Sequence, residues 1–204
     1  MTALDIPTLR KALRNRRKQL TPQQQQAHAK QACQAFIDSQ LLMEVKRNVK
    51  RIGVFLSQDG ELDTQALIDV LWKTPNIEVY LPVLNTQPDW PMGFLAFTAH
   101  SKMIKNRFNI PEPDVMLEKP LSGEGLDLVI MPLVGFDQRG HRIGMGGGYY
   151  DRTFEFKLQT PLQKPLLIGW AHSCQQVQAV PNQIWDVPLN VIITENGLLT
   201  CNPL

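Results

Sequence analysis

The chain has 204 residues, 43% hydrophobic and 20% charged, with a formal net charge of +2. This length suits one domain with a full core, and near-balanced charge gives no general electrostatic case for nucleic acid. Cys33, Cys174 and Cys201 lie far apart with no CxxC or Cys/His ligand spacing, which argues against a disulfide framework and against structural zinc. The N-terminus lacks a secretory apolar core and no run reaches membrane length, so a cytoplasmic protein with no membrane partner is expected.

Residues 5–18 read as a basic helix, with Leu9 and Leu13 at i, i+4 spacing and six positive charges between Arg10 and Lys18. Those charges fit a solvated face, or a few of them reach an anionic phosphate, which Arg can grip bidentately. Thr21-Pro22-Gln23-Gln24 is a capping box with proline at the first helical position, so a second helix starts there with Cys33, Phe36 and Ile37 inward. His28 is expected to be exposed on its polar side. Arg51 to Leu56 reads as a short buried strand that runs into a turn at Ser57–Glu61. Asp63 then caps a helix with Ala66, Leu67, Val70 and Leu71 on its apolar face. Glu61 is either a functional carboxylate at a strand's carboxyl end or a first-turn carboxylate favoured by the helix dipole. Both readings stand on the residues alone.

Ile77 to Val83 is the next strand, expected to end at Pro82, and Met92 to Phe97 an antiparallel or edge strand. The prolines and glycines of residues 106–125 predict extended or irregular chain. Phe108 there is a packing residue or a stacking aromatic over a flat ligand.

The stretch from Asp127 to Arg152 organises the rest. Leu128 to Val134 reads as a fully buried strand. A polar turn follows, then four glycines in five residues, Gly144, Gly146, Gly147 and Gly148, ending in Tyr149-Tyr150-Asp151-Arg152. Strand, glycine loop and helix start suit a phosphate held on backbone N–H groups. The spacing is not Walker A, and Tyr149 stands where the dinucleotide fingerprint needs a glycine. A short helix from Asp151 to Leu158, a strand from Leu166 to Ala171 and a last strand from Val191 to Thr194 complete the pattern. His172 is a loop histidine or a weak general base. Alternating strands and helices predict a three-layer αβα domain with a mostly parallel sheet, spanning 1–204, with residues 1–45 as a helical arm packed on it.

The combination Pro132 to Asp137 followed by Arg142 to Arg152 resembles the 5-formyltetrahydrofolate cyclo-ligases. The resemblance extends to Leu9-Arg10-Lys11, Phe55-Leu56-Ser57 with Glu61, the segment Phe108 to Pro111, and Trp185-Asp186. It implies a ribose-phosphate-isomerase and CoA-transferase-like fold. It implies ATP- and Mg2+-dependent conversion of 5-formyltetrahydrofolate to 5,10-methenyltetrahydrofolate, with ADP and phosphate released through a phosphorylated, imidate-like formyl group. A folate small molecule is then the partner, a monomer is expected, and no nucleic acid is required.

By the same resemblance, ATP is contacted by Arg10, Arg14, Arg142, Ile143, Gly144, Met145, Gly146, Gly147, Gly148, Tyr149 and Tyr150. Arg142 and Tyr149 take the catalytic roles, Arg142 as a phosphate clamp and Tyr149 near the formyl group. Leu56, Glu61, Phe108 and Tyr149 contact the folate, and Asp151 and Asp186 are the magnesium carboxylates. The chain departs from the family pattern at Ile6-Pro7 and at Gly147, where relatives usually carry lysines. A different class of reading is a non-catalytic nucleotide- or RNA-binding module on the same fold, for which binding would weaken steeply with salt.

Overall fold

In a computed structural model the chain is described over residues 5–201, apart from 40, 42–46, 48–49, 85–91, 117–118 and 162–163. Residues 1–4, 40 and 42–45 of the expected arm, and the polar loop at 85–91, fall outside the described residues. Helix α1, Ile6–Lys18, begins on Asp5, whose carboxylate accepts from the Thr8 N–H at 2.7 Å, with Pro7 in its first turn. Helix α2, Pro22–Asp38, has both halves of the Thr21/Gln24 capping box. The strands are β1 Arg51–Gly53, β2 Glu78–Leu84, β3 Met92–Ala96, β4 Met103–Lys105, β5 Pro111–Pro113, β6 Leu128–Pro132, β7 Gly135–Phe136, β8 Arg142–Ile143, β9 Leu166–Trp170, β10 Val191–Thr194 and β11 Gly197–Thr200. Helix α3 covers Gln65–Lys73 and α4 covers Tyr149–Phe154.

Among the described residues the main sheet has seven strands in the order β11-β10-β9-β6-β1-β2-β3. The inner pairs are parallel and the two edge strands, β3 and β11, run antiparallel. Alternate residues of the inner strands go to opposite cores. Leu128, Ile130, Ile168 and Ile193 pack with Phe36 of α2 and Leu67 and Leu71 of α3. Val129, Met131, Leu167 and Ile192 pack with Phe154 of α4. Burial on both faces explains why these strands are continuously apolar. Leu13 of α1 belongs to a third cluster with Val134, Ile143 and Val180.

Several boundaries differ from expectation. Asp63 is not the cap of α3: Thr64 holds that position, but its hydroxyl donates to the Phe55 carbonyl at 2.6 Å, and Asp63 accepts from the Gln65 N–H at 3.3 Å. Ile68, with Leu67 and Leu71, forms the buried stripe, while Ala66 and Val70 are only partly covered. Pro82 does not end β2. It lies beyond the last β1 partner, Gly53 opposite Tyr80, so its missing N–H breaks no pairing with that neighbour. Residues 106–125 hold extended chain as expected, at β5, which pairs with β4. β1 stops at Gly53 and β6 at Pro132, and the last helix begins at Tyr149 and tightens into a 3-10 turn from Glu155. β11 was not anticipated; Asn196-Gly197, with Gly197 at φ +117, turns the chain back along β10.

The polar turn between β7 and β8 is built on Asp137, which is fully buried and accepts from the N–H groups of Arg139, His141 and Val180. Gly140 in this turn has φ +88, and a Cβ there would collide with the Leu189 carbonyl oxygen and with Cys201. Gly140→Ala therefore combines left-handed strain with a backbone clash. Urea denaturation is expected to show a loss of about 3 kcal/mol, and a loss below about 1 kcal/mol would show that the turn yields.

Candidate active site

The strand order reverses between β1 and β6, because the chain leaves β1 toward β2 but leaves β6 toward β9. Crevices at such reversals, outside the strands' carboxyl ends, are where open α/β sheets hold ligands. The loops that meet here are 54–64, after β1, and 133–148, after β6.

Arg17 holds the two loops together. Its side chain is fully buried and donates to the Asp59 carbonyl at 3.0 Å, to an Asp59 carboxylate oxygen at 3.1 Å and to the Leu133 carbonyl at 3.2 Å. Arg14 also bonds Asp59, at 2.8 Å, and Lys18 completes the cluster. Arg14, expected at ATP, is thus committed to a loop carboxylate. Burial raises the Asp59 pKa, but the bonds from Arg14, Lys18 and Arg17 outweigh it and hold the carboxyl well below its ordinary value. A folded-state pKa below the unfolded one means stability that is complete above the ordinary carboxylate range and lost as pH falls through the folded value. Asp59→Asn is expected to cost about 2 kcal/mol at neutral pH, and to flatten the acid limb of a pH–stability profile. An unchanged acid limb would remove Asp59 from this role.

Glu61 sits in the same loop, accepting from the Gln58 N–H at 2.9 Å with Arg17 at 3.8 Å. Burial pushes its pKa up against those two contacts. Burial, then the nearby Glu61 carboxylate, also push the Tyr150 phenol up. Leu56 is half-buried, packed on the α2 side of the core.

The glycine loop is exposed from Gly144 to Gly147, and among the described residues none of the N–H groups from Gly144 to Gly148 donates a hydrogen bond. Gly146 has φ +96 and Gly148 φ +62, and a Cβ on Gly144 would meet only open space. Positive charge borders the loop. Arg10 donates from Nε to the Gly144 carbonyl at 2.8 Å, and Arg152 donates to the Gly147 carbonyl at 2.9 Å. Ile143 differs from its neighbours, since its side chain is buried in the cluster with Leu13, whereas the Met145 side chain is 54% exposed.

Arg142 is buried and donates to Asp151 Oδ1 at 2.7 Å and to the Val187 carbonyl. The Val187 N–H donates to the same Asp151 oxygen at 3.2 Å, so Asp151 lies beside the segment that carries Asp186. Asp186 Oδ2 accepts from the Gln183 N–H at 2.8 Å. Asp151 Oδ2 and Asp186 Oδ1 have no hydrogen-bond donor among the described residues.

Tyr149 stands at the mouth. Its ring meets Phe108 edge-on at 6.1 Å, and its hydroxyl contacts Arg107. The guanidinium groups of Arg107 and Arg152 lie 5.8 and 5.4 Å from its ring centre. Arg17, Arg107 and Arg152 were missed in the sequence. The only signals were their places inside the basic helix, immediately before Phe108 and at the end of the glycine motif.

A mostly parallel sheet whose strand order reverses between β1 and β6, with an exposed glycine loop bordered by Arg10 and Arg152, defines an open α/β protein of the doubly wound kind. The model of the 5-formyltetrahydrofolate cyclo-ligase family matches residues 5–195. The chain is 41% identical to the 5-formyltetrahydrofolate cyclo-ligase of Escherichia coli, over 89% of this chain and 96% of that protein. It is 40% identical to the one from Haemophilus influenzae, over 89% of this chain and 92% of that protein. The solved 5,10-methenyltetrahydrofolate synthetase of Aquifex aeolicus superposes with a TM-score of 0.76 at 25% identity, covering 96% of this chain and 92% of that one. The chain belongs to the 5-formyltetrahydrofolate cyclo-ligase family.

Proposed function

We propose that this chain catalyses the ATP- and Mg2+-dependent cyclisation of 5-formyltetrahydrofolate to 5,10-methenyltetrahydrofolate, with release of ADP and phosphate. In a chain of this family, the observation that carries the reading is the open N–H loop, 144–148, leading into Asp151, whose carboxylate accepts from the Val187 N–H next to Asp186.

The residues fit the groups required. Backbone N–H groups without flanking side chains can approach phosphate oxygens closely. Arg10 and Arg152, fixed on carbonyls of that loop, would supply the neutralising charge. Two carboxylates with one free oxygen each suit Mg2+, a hard ion that keeps several waters and bridges to phosphates. ATP supplies the phosphoryl group that converts the formyl oxygen into a leaving group.

Phosphoryl transfer asks a protein chiefly for positioning and charge neutralisation. Loop 144–148 would hold the phosphates, and Arg142 would act through Asp151, fixing its carboxylate rather than clamping phosphate itself. Phe108 and Tyr149 form an edge-to-face wall against which a flat pterin can lie. Glu61, held between Gln58 and Arg17, would accept N–H donors of that ring. Tyr149, touched by Arg107, stands where the reacting formyl group would enter. Among the described residues no helix is long and apolar enough to cross a membrane.

The purified chain with ATP, Mg2+ and 5-formyltetrahydrofolate is expected to gain the near-ultraviolet absorbance of the methenyl product. No gain at saturating ATP ends this reading.

A further inference from the structure

Three side chains outside the site converge where α2 crosses the carboxyl ends of β9 and β10. His28 comes from α2, His172 lies two residues past β9, and Glu195 directly follows β10. Because β9 and β10 are adjacent and parallel, their ends deliver His172 and Glu195 to the same edge. His28 Nδ1 lies 3.0 Å from His172 Nδ1 and 3.4 Å from Glu195 Oε1, and the three ligand atoms are all within 4.8 Å of one another. Contrary to expectation, His28 is not simply exposed and His172 is no open loop residue, being fully buried.

We propose that His28, His172 and Glu195 form a second metal site, for a borderline divalent transition ion of which Zn2+ is the representative. Metal–ligand bonds of about 2.0–2.2 Å in tetrahedral array put ligand atoms roughly 3.3–3.5 Å apart. The two shortest separations here already approach that spacing. Imidazole with one carboxylate is a donor set for zinc-like ions rather than for Mg2+. The ligands are also held from behind. Glu195 accepts from the Ser173 N–H at 2.9 Å and from the Ser173 hydroxyl, and the His172 N–H donates to the Gln175 side chain at 2.9 Å. The His172 Nε2 atom is buried with no hydrogen-bond partner among the described residues, and Nδ1 is the ring nitrogen that faces His28. Three protein ligands leave a fourth position for water. An ion here would staple the second helix to the sheet, using none of the residues assigned to ATP, Mg2+ or folate. The absence of ligand spacing in the sequence does not bear on it, because each ligand comes from a different element.

The test uses the full chain, stripped with chelator and titrated calorimetrically with Zn2+ alone, with Co2+ as a spectroscopic probe. Expected are one Zn2+ per chain, a visible Co2+ spectrum of low coordination number, and a rise in melting temperature with Zn2+. His28→Gln and Glu195→Gln should each weaken Zn2+ about 100-fold or more, with circular dichroism confirming the fold. Asp151→Asn should leave the binding intact. No stoichiometric binding overturns the proposal, as does binding unchanged in folded His28→Gln or lost in folded Asp151→Asn. His28 lies partly exposed on a helix, so its variant keeps the test decisive even if Glu195→Gln misfolds.

Discussion

Arg17→Met is expected to lower stability by about 3–5 kcal/mol, the cost typical of removing one partner from a buried charge cluster. For a domain of this size that is a fall in melting temperature of roughly 10 °C or more. Methionine keeps most of the volume, so the loss comes from polar groups. The carbonyls of Asp59 and Leu133 each lose a donor, and Glu61 loses the cation nearest its buried carboxylate. Asp59 keeps Arg14 and Lys18, which sit at the surface, with side chains 36% and 49% exposed. Arg14→Ala is the control, and should cost no more than about 1 kcal/mol. The functional consequence follows from position. Arg17 is the tie between the loop after β1 and the start of the loop after β6, so its loss should raise KM for the folate more than it lowers kcat. A stability loss under about 1 kcal/mol would mean that the two loops are held by something else.

The contrast between Arg17 and its neighbours shows what the sequence could and could not disclose. Periodicity made α1 basic and helical, and six charges in nine residues looked alike. Only the fold distinguishes Arg17, fully buried, from Arg10 at the glycine loop and Arg14 on Asp59. The inner strands were legible because burial on both faces leaves continuous apolar runs. β11 was not, because its alternately exposed Leu198 and partly covered Leu199 carry a weak pattern. The glycine loop was legible as a glycine-rich turn between a strand and a helix, and the family resemblance supplied the ligand proposed for it. The pairing of Arg142 with Asp151 was not, since an ion pair nine residues apart depends on the turn between β8 and α4. Likewise His172 and Glu195 meet only through the parallel pairing of β9 and β10, and His28, 144 positions from His172, joins them only because α2 packs on that side of the sheet.

Asp186→Asn is expected to lower Mg2+-dependent turnover by about a thousandfold, or roughly 4 kcal/mol of barrier, while leaving stability unchanged within about 1 kcal/mol. The separation of the two effects comes from what each carboxylate touches. Asp186 accepts a single N–H, from Gln183 in its own turn, and an asparagine oxygen can accept the same bond. Its remaining oxygen is the one available to a cation, and amide oxygen is a neutral and weaker ligand for Mg2+ than carboxylate. Asp151→Asn should behave differently. Asp151 Oδ1 receives both the Arg142 guanidinium and the Val187 N–H, so that variant leaves a buried arginine without its counter-charge and should lose about 3 kcal/mol of stability along with turnover. Turnover measured against Mg2+ concentration distinguishes the cases further. Asp186→Asn should require much higher Mg2+ for half-maximal rate and recover partly when it is supplied. Asp151→Asn should recover less, because Arg142 is then free to shift into the space its partner held. If Asp186→Asn leaves the Mg2+ dependence where it was, the ion is held elsewhere, and the pair at the sheet reversal is a structural clasp for the segment around Val187.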